Sequence, residues 1–167
     1  MRAGLALGSN IGDRFENLRA ARKAIVDLAK VSPPILASPI FETDAVDCEP
    51  GANKFWNAVI EIDFEGDAVE LLQKLGEVEV TLGRPVNHPR NVSRKIDIDL
   101  LYFGDTTIDS EELQVPHPRM ATRKFVLQPL SDIRPDLILP GQTQPVRELL
   151  ARTQGSAKVV ALPEQWA

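Results

Sequence analysis

Two amphipathic helices set among strand-like runs predict an α+β chain built on an antiparallel sheet. Three observations carry the prediction. Residues 55–64 alternate strictly, with Ala58, Ile60, Ile62 and Phe64 on one face and Asn57, Val59, Glu61 and Asp63 on the other. Two stretches with apolar residues at helical spacing each open on an Asp followed three residues later by a Glu: Asp13 with Glu16, and Asp67 with Glu70. The resulting order, β-α-β-β-α-β, is the ferredoxin-like arrangement, with both helices packed on one face of the sheet.

The elements follow in order. Residues 2–8 read as a short buried strand ending in the turn cluster Gly8-Ser9-Asn10. Phe15, Leu18, Ala21, Ile25 and Leu28 give a helix over 13–30, stopped by Ser32-Pro33-Pro34. Residues 35–43 read as a second strand and 44–54 as a polar loop, followed by the alternating strand 55–64. Val69, Leu72, Leu75, Val78 and Leu82 carry the second helix to Gly83. A basic, proline-containing loop over 84–93 then leads to a strand through Asp97-Ile98-Asp99-Leu100-Leu101-Tyr102-Phe103. Past residue 104 the pattern loosens: Val115-Pro116-His117-Pro118 is an extended turn, with short helices expected over 120–130 and 144–153. The expectation is a single domain over 1–167, with a core of about 1–104 and an extension, 105–167, packed on the sheet's edge or open face.

Composition narrows the function. At 167 residues, 43% hydrophobic and 26% charged, the chain is long enough for a sizeable core. A net charge of −5 provides no global basic field for nucleic acid, so anion binding has to come from local clusters. One cysteine, Cys48, excludes an internal disulfide framework and a cysteine zinc site, and fits a reducing compartment. No apolar run approaches a membrane span and the N-terminus does not read as a cleavable signal, so the expected location is cytoplasmic.

Asp97 and Asp99 carry the chemistry. On a strand they project from one face with Cα atoms about 6.6 Å apart. Two carboxylates so placed repel one another unless a cation lies beside them. Magnesium is commonly held by one or two carboxylates plus substrate phosphates. Arg84, Arg90, Arg94 and Lys95 lie just upstream, and His117, Arg119, Arg123 and Lys124 follow. Guanidinium groups match phosphate oxygens with paired hydrogen bonds. The pattern reads as a metal–phosphate site, and no Walker loop is present.

These residues resemble the 6-hydroxymethyl-7,8-dihydropterin pyrophosphokinases of folate biosynthesis. The matching segments are Ala6-Leu7-Gly8-Ser9-Asn10, Phe55-Trp56-Asn57-Ala58-Val59, Glu79 through Gly83-Arg84, Ser93 through Leu101, and Val115 through Leu130 with its Pro116-His117-Pro118-Arg119-Met120 run. The resemblance implies pyrophosphoryl transfer from ATP to the pterin hydroxymethyl group, releasing AMP. It implies two magnesium ions on Asp97 and Asp99. Glu79, Arg84, Arg94, His117 and Arg123 are implied to bind the nucleotide, and Arg94, Asp97, Asp99, His117 and Arg123 to be the catalytic set. Thr43, Val46, Phe55, Asn57 and Phe125 are the implied pterin pocket. The expected partners are therefore ATP and the pterin alone, with no nucleic acid or membrane and a monomer as the default.

Two departures from the family pattern fall in the basic loop: Val86, where relatives commonly carry a basic residue, and Asn91-Val92-Ser93 before Arg94. Read from the residues alone, two alternatives stay open. A different metal-dependent phosphoryl or nucleotidyl transferase would keep the aspartates without needing Phe55, Asn57 and Phe125. A non-catalytic binding module would need neither the aspartates nor the arginines.

Overall fold

The computed structural model describes residues 1–45, 50–84, 93–153 and 158–166. Strand β1 (Arg2–Ser9) leads to helix α1 (Arg14–Val26), then β2 (Val31–Ala37), β3 (Phe41–Thr43), β4 (Phe55–Phe64), α2 (Ala68–Thr81) and β5 (Asp97–Phe103). The sheet runs β5-β1-β4-β3, with β2 beside the other half of β4, and the neighbouring strands are antiparallel. Treating β2 and β3 as one interrupted strand, this is the ferredoxin-like order.

The two capping aspartates act as their positions predict. Asp13 accepts from the Glu16 amide at 3.0 Å and Asp67 from the Glu70 amide at 2.8 Å. Both helices then bury one stripe against the sheet: Leu18, Ala21 and Ile25 from α1, and Leu71, Leu75 and Val78 from α2. They meet Leu5 and Leu7 of β1, Ile60 and Ile62 of β4, and Ile98 and Leu100 of β5. The Leu, Ile and Val side chains among them contribute roughly 1.5–3 kcal/mol each.

Three expectations are corrected. Helix α1 ends at Val26 and not at residue 30, because Val31 is already paired with Phe64 in the sheet. Pro33 and Pro34 therefore do not stop a helix. They lie in β2 where its register shifts between Ser32 and Leu36, a place where missing N–H donors are tolerated. The second strand is broken at Ser38-Pro39-Ile40, and the Ser38 hydroxyl accepts from the Val59 amide (2.9 Å) in the gap.

Beyond β5 come a small hairpin, β6 (Ile108–Asp109) with β7 (Gln114–Val115), and a 3-10 turn at Met120–Thr122. Helix α3 (Lys124–Ile133), helix α4 (Val146–Arg152) and strand β8 (Val159–Ala161) follow. The helix expected over 120–130 is split because Arg123 is extended, at φ −104° and ψ 106°. Met120, Val126, Leu127, Leu130 and Val146 cover the sheet's second face through Val59, Leu101 and Tyr102. Strand β8 adds to the free edge of β3.

A register shift in the β1–β5 ladder places Tyr102 on the second face together with Leu101. Its ring lies over Gly4, where a Cβ would overlap it. Its hydroxyl hydrogen-bonds the buried Glu61 carboxylate. Arg134 reaches both Glu61 oxygens at 2.8 Å, and Arg2 donates to the same group at 2.9 Å. This network ties the end of α3 to three strands of the sheet. None of the helices among the described residues is long and apolar enough to cross a membrane.

Candidate active site

The second face changes character at its other end. Opposed residues in an antiparallel ladder share a face, so the register sets Gly8 between Asp97 on β5 and Asn57 on β4, and Ala6 between Asp99 and Val59. With small residues down the middle strand, the sheet forms a floor with carboxylates on one side and an amide on the other. Two strand spacings separate Asp97 from Asn57, or about 10 Å. A Cβ at Gly8 would come within 2.9 Å of Asn57 Oδ1, so the amide bonded to Thr43 would have to shift.

Above this floor lies a cavity of about 790 Å³, lined by residues from β1, β3, β4, β5, the β6–β7 hairpin and α3. It brings together Thr43, Phe55, Asn57, Arg84, Arg94, Asp97, Asp99, His117, Arg123 and Phe125. Glu79 is not part of the lining. It acts from behind, accepting from the Ile98 amide at 2.6 Å and pairing with Arg84 at 2.8 Å, so that it fixes the start of β5. Val46, Val86, Arg90 and Asn91-Val92 lie outside the described residues, as does Cys48.

The charges are unevenly satisfied. Asp97 pairs with Arg84 at 2.7 Å and with Arg94 at 3.0 Å. Asp99 is part-buried and lines the cavity. Burial first, and then the charge of Asp97, push Asp99 up to about 7, against the opposing pull of Arg123 and Arg94. Burial likewise raises Glu79 above the ordinary carboxylate range.

His117 moves the other way. Burial, followed by the charges of Arg123 and Arg119, lowers it to about 4, so the ring is neutral near pH 7. Its Nδ1 accepts from the Arg119 amide at 3.2 Å, which leaves Nε2 carrying the proton. The ring is therefore a neutral donor inside a cationic surround.

On the opposite wall, Asn57 Nδ2 donates to the Thr43 hydroxyl at 2.6 Å. This orients the amide and leaves Oδ1 as an acceptor. The Arg123 guanidinium lies 5.4 Å from the Phe125 ring centroid, linking the basic side of the cavity to its aromatic side.

A residue that sequence reading treats only as part of a turn fastens two stretches that lead into cavity-lining residues. Asn10 is fully buried. Its Oδ1 accepts from the Arg94 amide at 2.7 Å, and its Nδ2 donates to Ser93 Oγ at 3.1 Å and to the Asn53 carbonyl at 3.2 Å. One side chain thus joins Asn53, two residues before Phe55, to Ser93 and Arg94, three residues before Asp97. The available signal was an Asn closing a buried strand, where Asn is disfavoured without a specific partner.

The donor set suits a hard divalent cation. Two carboxylates on one face, one of them destabilised by burial and then by its neighbour's charge, match magnesium completed by phosphate oxygens and water. Among the described residues no group of three or more His, Cys, Asp or Glu gathers into an all-protein metal cage.

Comparison with known proteins gives concordant results. Residues 4–135 match the family model described as 7,8-dihydro-6-hydroxymethylpterin-pyrophosphokinase (HPPK). The 2-amino-4-hydroxy-6-hydroxymethyldihydropteridine pyrophosphokinase of Bacillus subtilis is 43% identical over 129 residues, covering 77% of this chain and 75% of its own. The enzyme of the same name from Pseudomonas aeruginosa is 38% identical, covering 88% of each chain. Among solved structures, wild-type Plasmodium falciparum HPPK-DHPS with SDX-DHP superposes with a TM-score of 0.72 over 90% of this chain, at 15% identity. The same protein with pterin and p-hydroxybenzoate gives 0.68 at 18% identity. At such identities the likeness speaks for the fold alone, and the chain spans only 44% and 41% of those two longer proteins.

Proposed function

The chain belongs to the 7,8-dihydro-6-hydroxymethylpterin-pyrophosphokinase family, and on that premise we propose that the Asp97–Gly8–Asn57 floor is where it passes the pyrophosphoryl group of ATP to 6-hydroxymethyl-7,8-dihydropterin, in folate biosynthesis. The observation that carries this reading is the shared cavity. One side offers carboxylates and guanidinium groups suited to a metal–triphosphate, and the other offers Phe55, Phe125 and an oriented amide suited to a flat, amide-edged heterocycle.

The pterin hydroxymethyl oxygen attacks the β-phosphorus of ATP and gives up its proton to solvent water, the bond from that phosphorus to the α–β bridging oxygen breaks, and AMP leaves. Magnesium, as two ions on Asp97 and Asp99, would supply charge neutralisation along the phosphates. Arg84 and Arg94 exchange Asp97 for phosphate oxygens, a swap of one charge-assisted partner for another. His117 gives its Nε2–H to the phosphate chain without adding a further charge. Arg123 spans the two substrates, its guanidinium toward phosphate and its plane beside Phe125. Glu79 steadies Arg84 and the start of β5. On the pterin side Phe55 and Phe125 hold the ring faces, Asn57 reads the amide edge and Thr43 orients Asn57; the family resemblance adds Val46 to this set. Alignment supplies much of the rate.

The whole of 1–167 acts as one catalytic domain in this reading, since His117, Arg123 and Phe125 come from the extension and their counterparts from the core. ATP and the pterin are its partners, a monomer is its working unit and the cytoplasm its setting. The test is to incubate the protein with ATP, magnesium and 6-hydroxymethyl-7,8-dihydropterin and resolve the nucleotides. AMP that requires both pterin and metal supports the reading. ADP would show phosphoryl transfer and pyrophosphate nucleotidyl transfer, and either would overturn it.

A further inference from the structure

The pterin side of the cavity leans on a part of the chain far from it in sequence. Strand β3 is only three residues long, yet it carries Thr43, which orients Asn57. On one side it pairs with residues 55–57 of β4. On the other it pairs with β8, Thr43 opposite Val159 and Phe41 opposite Ala161, and the Leu162 amide extends the ladder to the Ile40 carbonyl at 2.8 Å. Strand β8 also packs against α3, the helix that presents Phe125.

Past β8 the chain is pinned by Trp166. Its indole Nε1 donates to the Ser38 carbonyl at 2.7 Å, and the Arg22 guanidinium lies 5.4 Å from its ring. Ser38 is the break between β2 and β3, buried, with its amide and hydroxyl both engaged by Val59. The tail therefore closes the corner from which β3 starts. It lies beyond residue 135, where the family match ends.

We propose that the C-terminal segment 158–166 is a positioning element of the pterin pocket, holding β3 and the Thr43–Asn57 pair in register; this rests on the pterin assignment made above. A three-residue strand with a single neighbour is weakly held. A slip of one residue would turn Thr43 to the opposite face of the sheet. Strand β5, which carries Asp97 and Asp99, pairs with β1 and is not a neighbour of β3 in the sheet, so loosening β3 acts on pterin binding before ATP binding.

The experiment compares steady-state kinetics of the wild type, Trp166→Ala and Trp166→Phe, with pterin affinity measured in parallel in the presence of a non-hydrolysable ATP analogue. If the competent register falls to about a tenth of the population, the pterin KM and Kd rise about tenfold, with the ATP KM and kcat within about twofold of wild type. Trp166→Phe keeps the ring over Arg22 but loses the bond to Ser38, and falls between. An unchanged pterin KM in folded Trp166→Ala overturns the proposal even if its Tm drops, because a tail that only stabilises the fold would do that. A parallel loss in kcat and both KM values overturns it as well. Should Trp166→Ala not fold, Trp166→Phe decides by the same criterion. A wild type that binds pterin without releasing AMP would overturn the reaction and leave the affinity comparison to judge the tail.

Discussion

Replacing Asp99 with Asn should stabilise the metal-free protein while abolishing its turnover. Folding moves Asp99 from its ordinary 3.8 to about 7, chiefly by burial and then by the charge of Asp97. The folded chain therefore binds this proton more tightly than the unfolded chain, and stability falls as pH rises from about 4 to about 7. At about 1.4 kcal/mol per unit of pKa, the penalty at pH 8 has a ceiling of about 4 kcal/mol. Because Asp99 lines the open cavity and is only part-buried, about 2 kcal/mol is the working expectation. Urea denaturation with a chelator present measures it. Asp99→Asn gains about 2 kcal/mol over wild type at pH 8, and the gain shrinks toward zero at pH 4, where wild-type Asp99 is itself protonated. Asp97→Asn is the contrast: it breaks the pairs with Arg84 and Arg94 and loses stability at pH 8. Saturating magnesium raises the wild type alone, by RT ln(1 + [Mg]/Kd). An Asp99→Asn protein less stable than wild type at pH 8, or a gap equal at the two pH values, would refute the reasoning.

Three further outcomes are expected. The imidazole signals of His117, followed by NMR, stay those of a neutral ring until pH falls to about 4, and its contribution to stability is present above the ordinary value of 6.5 and lost as pH drops through that window; a midpoint near 6.5 would mean that neither the burial nor the cationic surround is felt. Gly8→Ala pushes a methyl toward Asn57 Oδ1, to within 2.9 Å, and raises the pterin KM with little change for ATP; equal effects on both substrates would place Asn57 outside the pterin site. Glu61→Gln leaves the part-exposed Arg2 and Arg134 facing a neutral amide and lowers stability by about 1.5–3 kcal/mol; a loss under about 1 kcal/mol in calorimetry would show that the buried network does not hold the second layer in place.

The elements with a clean period were legible in the sequence. Strand β4 alternates along its length, and Asp13 and Asp67 mark their helix starts by the hydrogen bonds they were expected to make. Helix α1 was read too long because Leu28 continues its apolar spacing, whereas the end is set by Val31 pairing with Phe64 across the sheet. That contact has no local signature. Strand β8 offered only three residues, too few for a period to be read, and its register depends on β3. The register shift that brings Tyr102 onto Glu61 is likewise a property of pairing.

The candidate site was legible for a related reason. Asp97 and Asp99 declare themselves through strand alternation and their basic neighbours, and the family resemblance supplied the aromatic and amide set. Sequence could not show that Gly8 is the floor between them, that Glu79 works from behind the cavity, or that Asn10 fastens the segments around it. Each of these depends on which strands are neighbours.

The most direct test is a crystal structure with magnesium, a non-hydrolysable ATP analogue and 6-hydroxymethylpterin. The account predicts metal on Asp97 and Asp99, phosphates among Arg84, Arg94, His117 and Arg123, and the pterin ring against Phe55 and Phe125 with its amide edge on Asn57. Metal bound away from the two aspartates, or a pterin on the far side of the floor from Asn57, would contradict it.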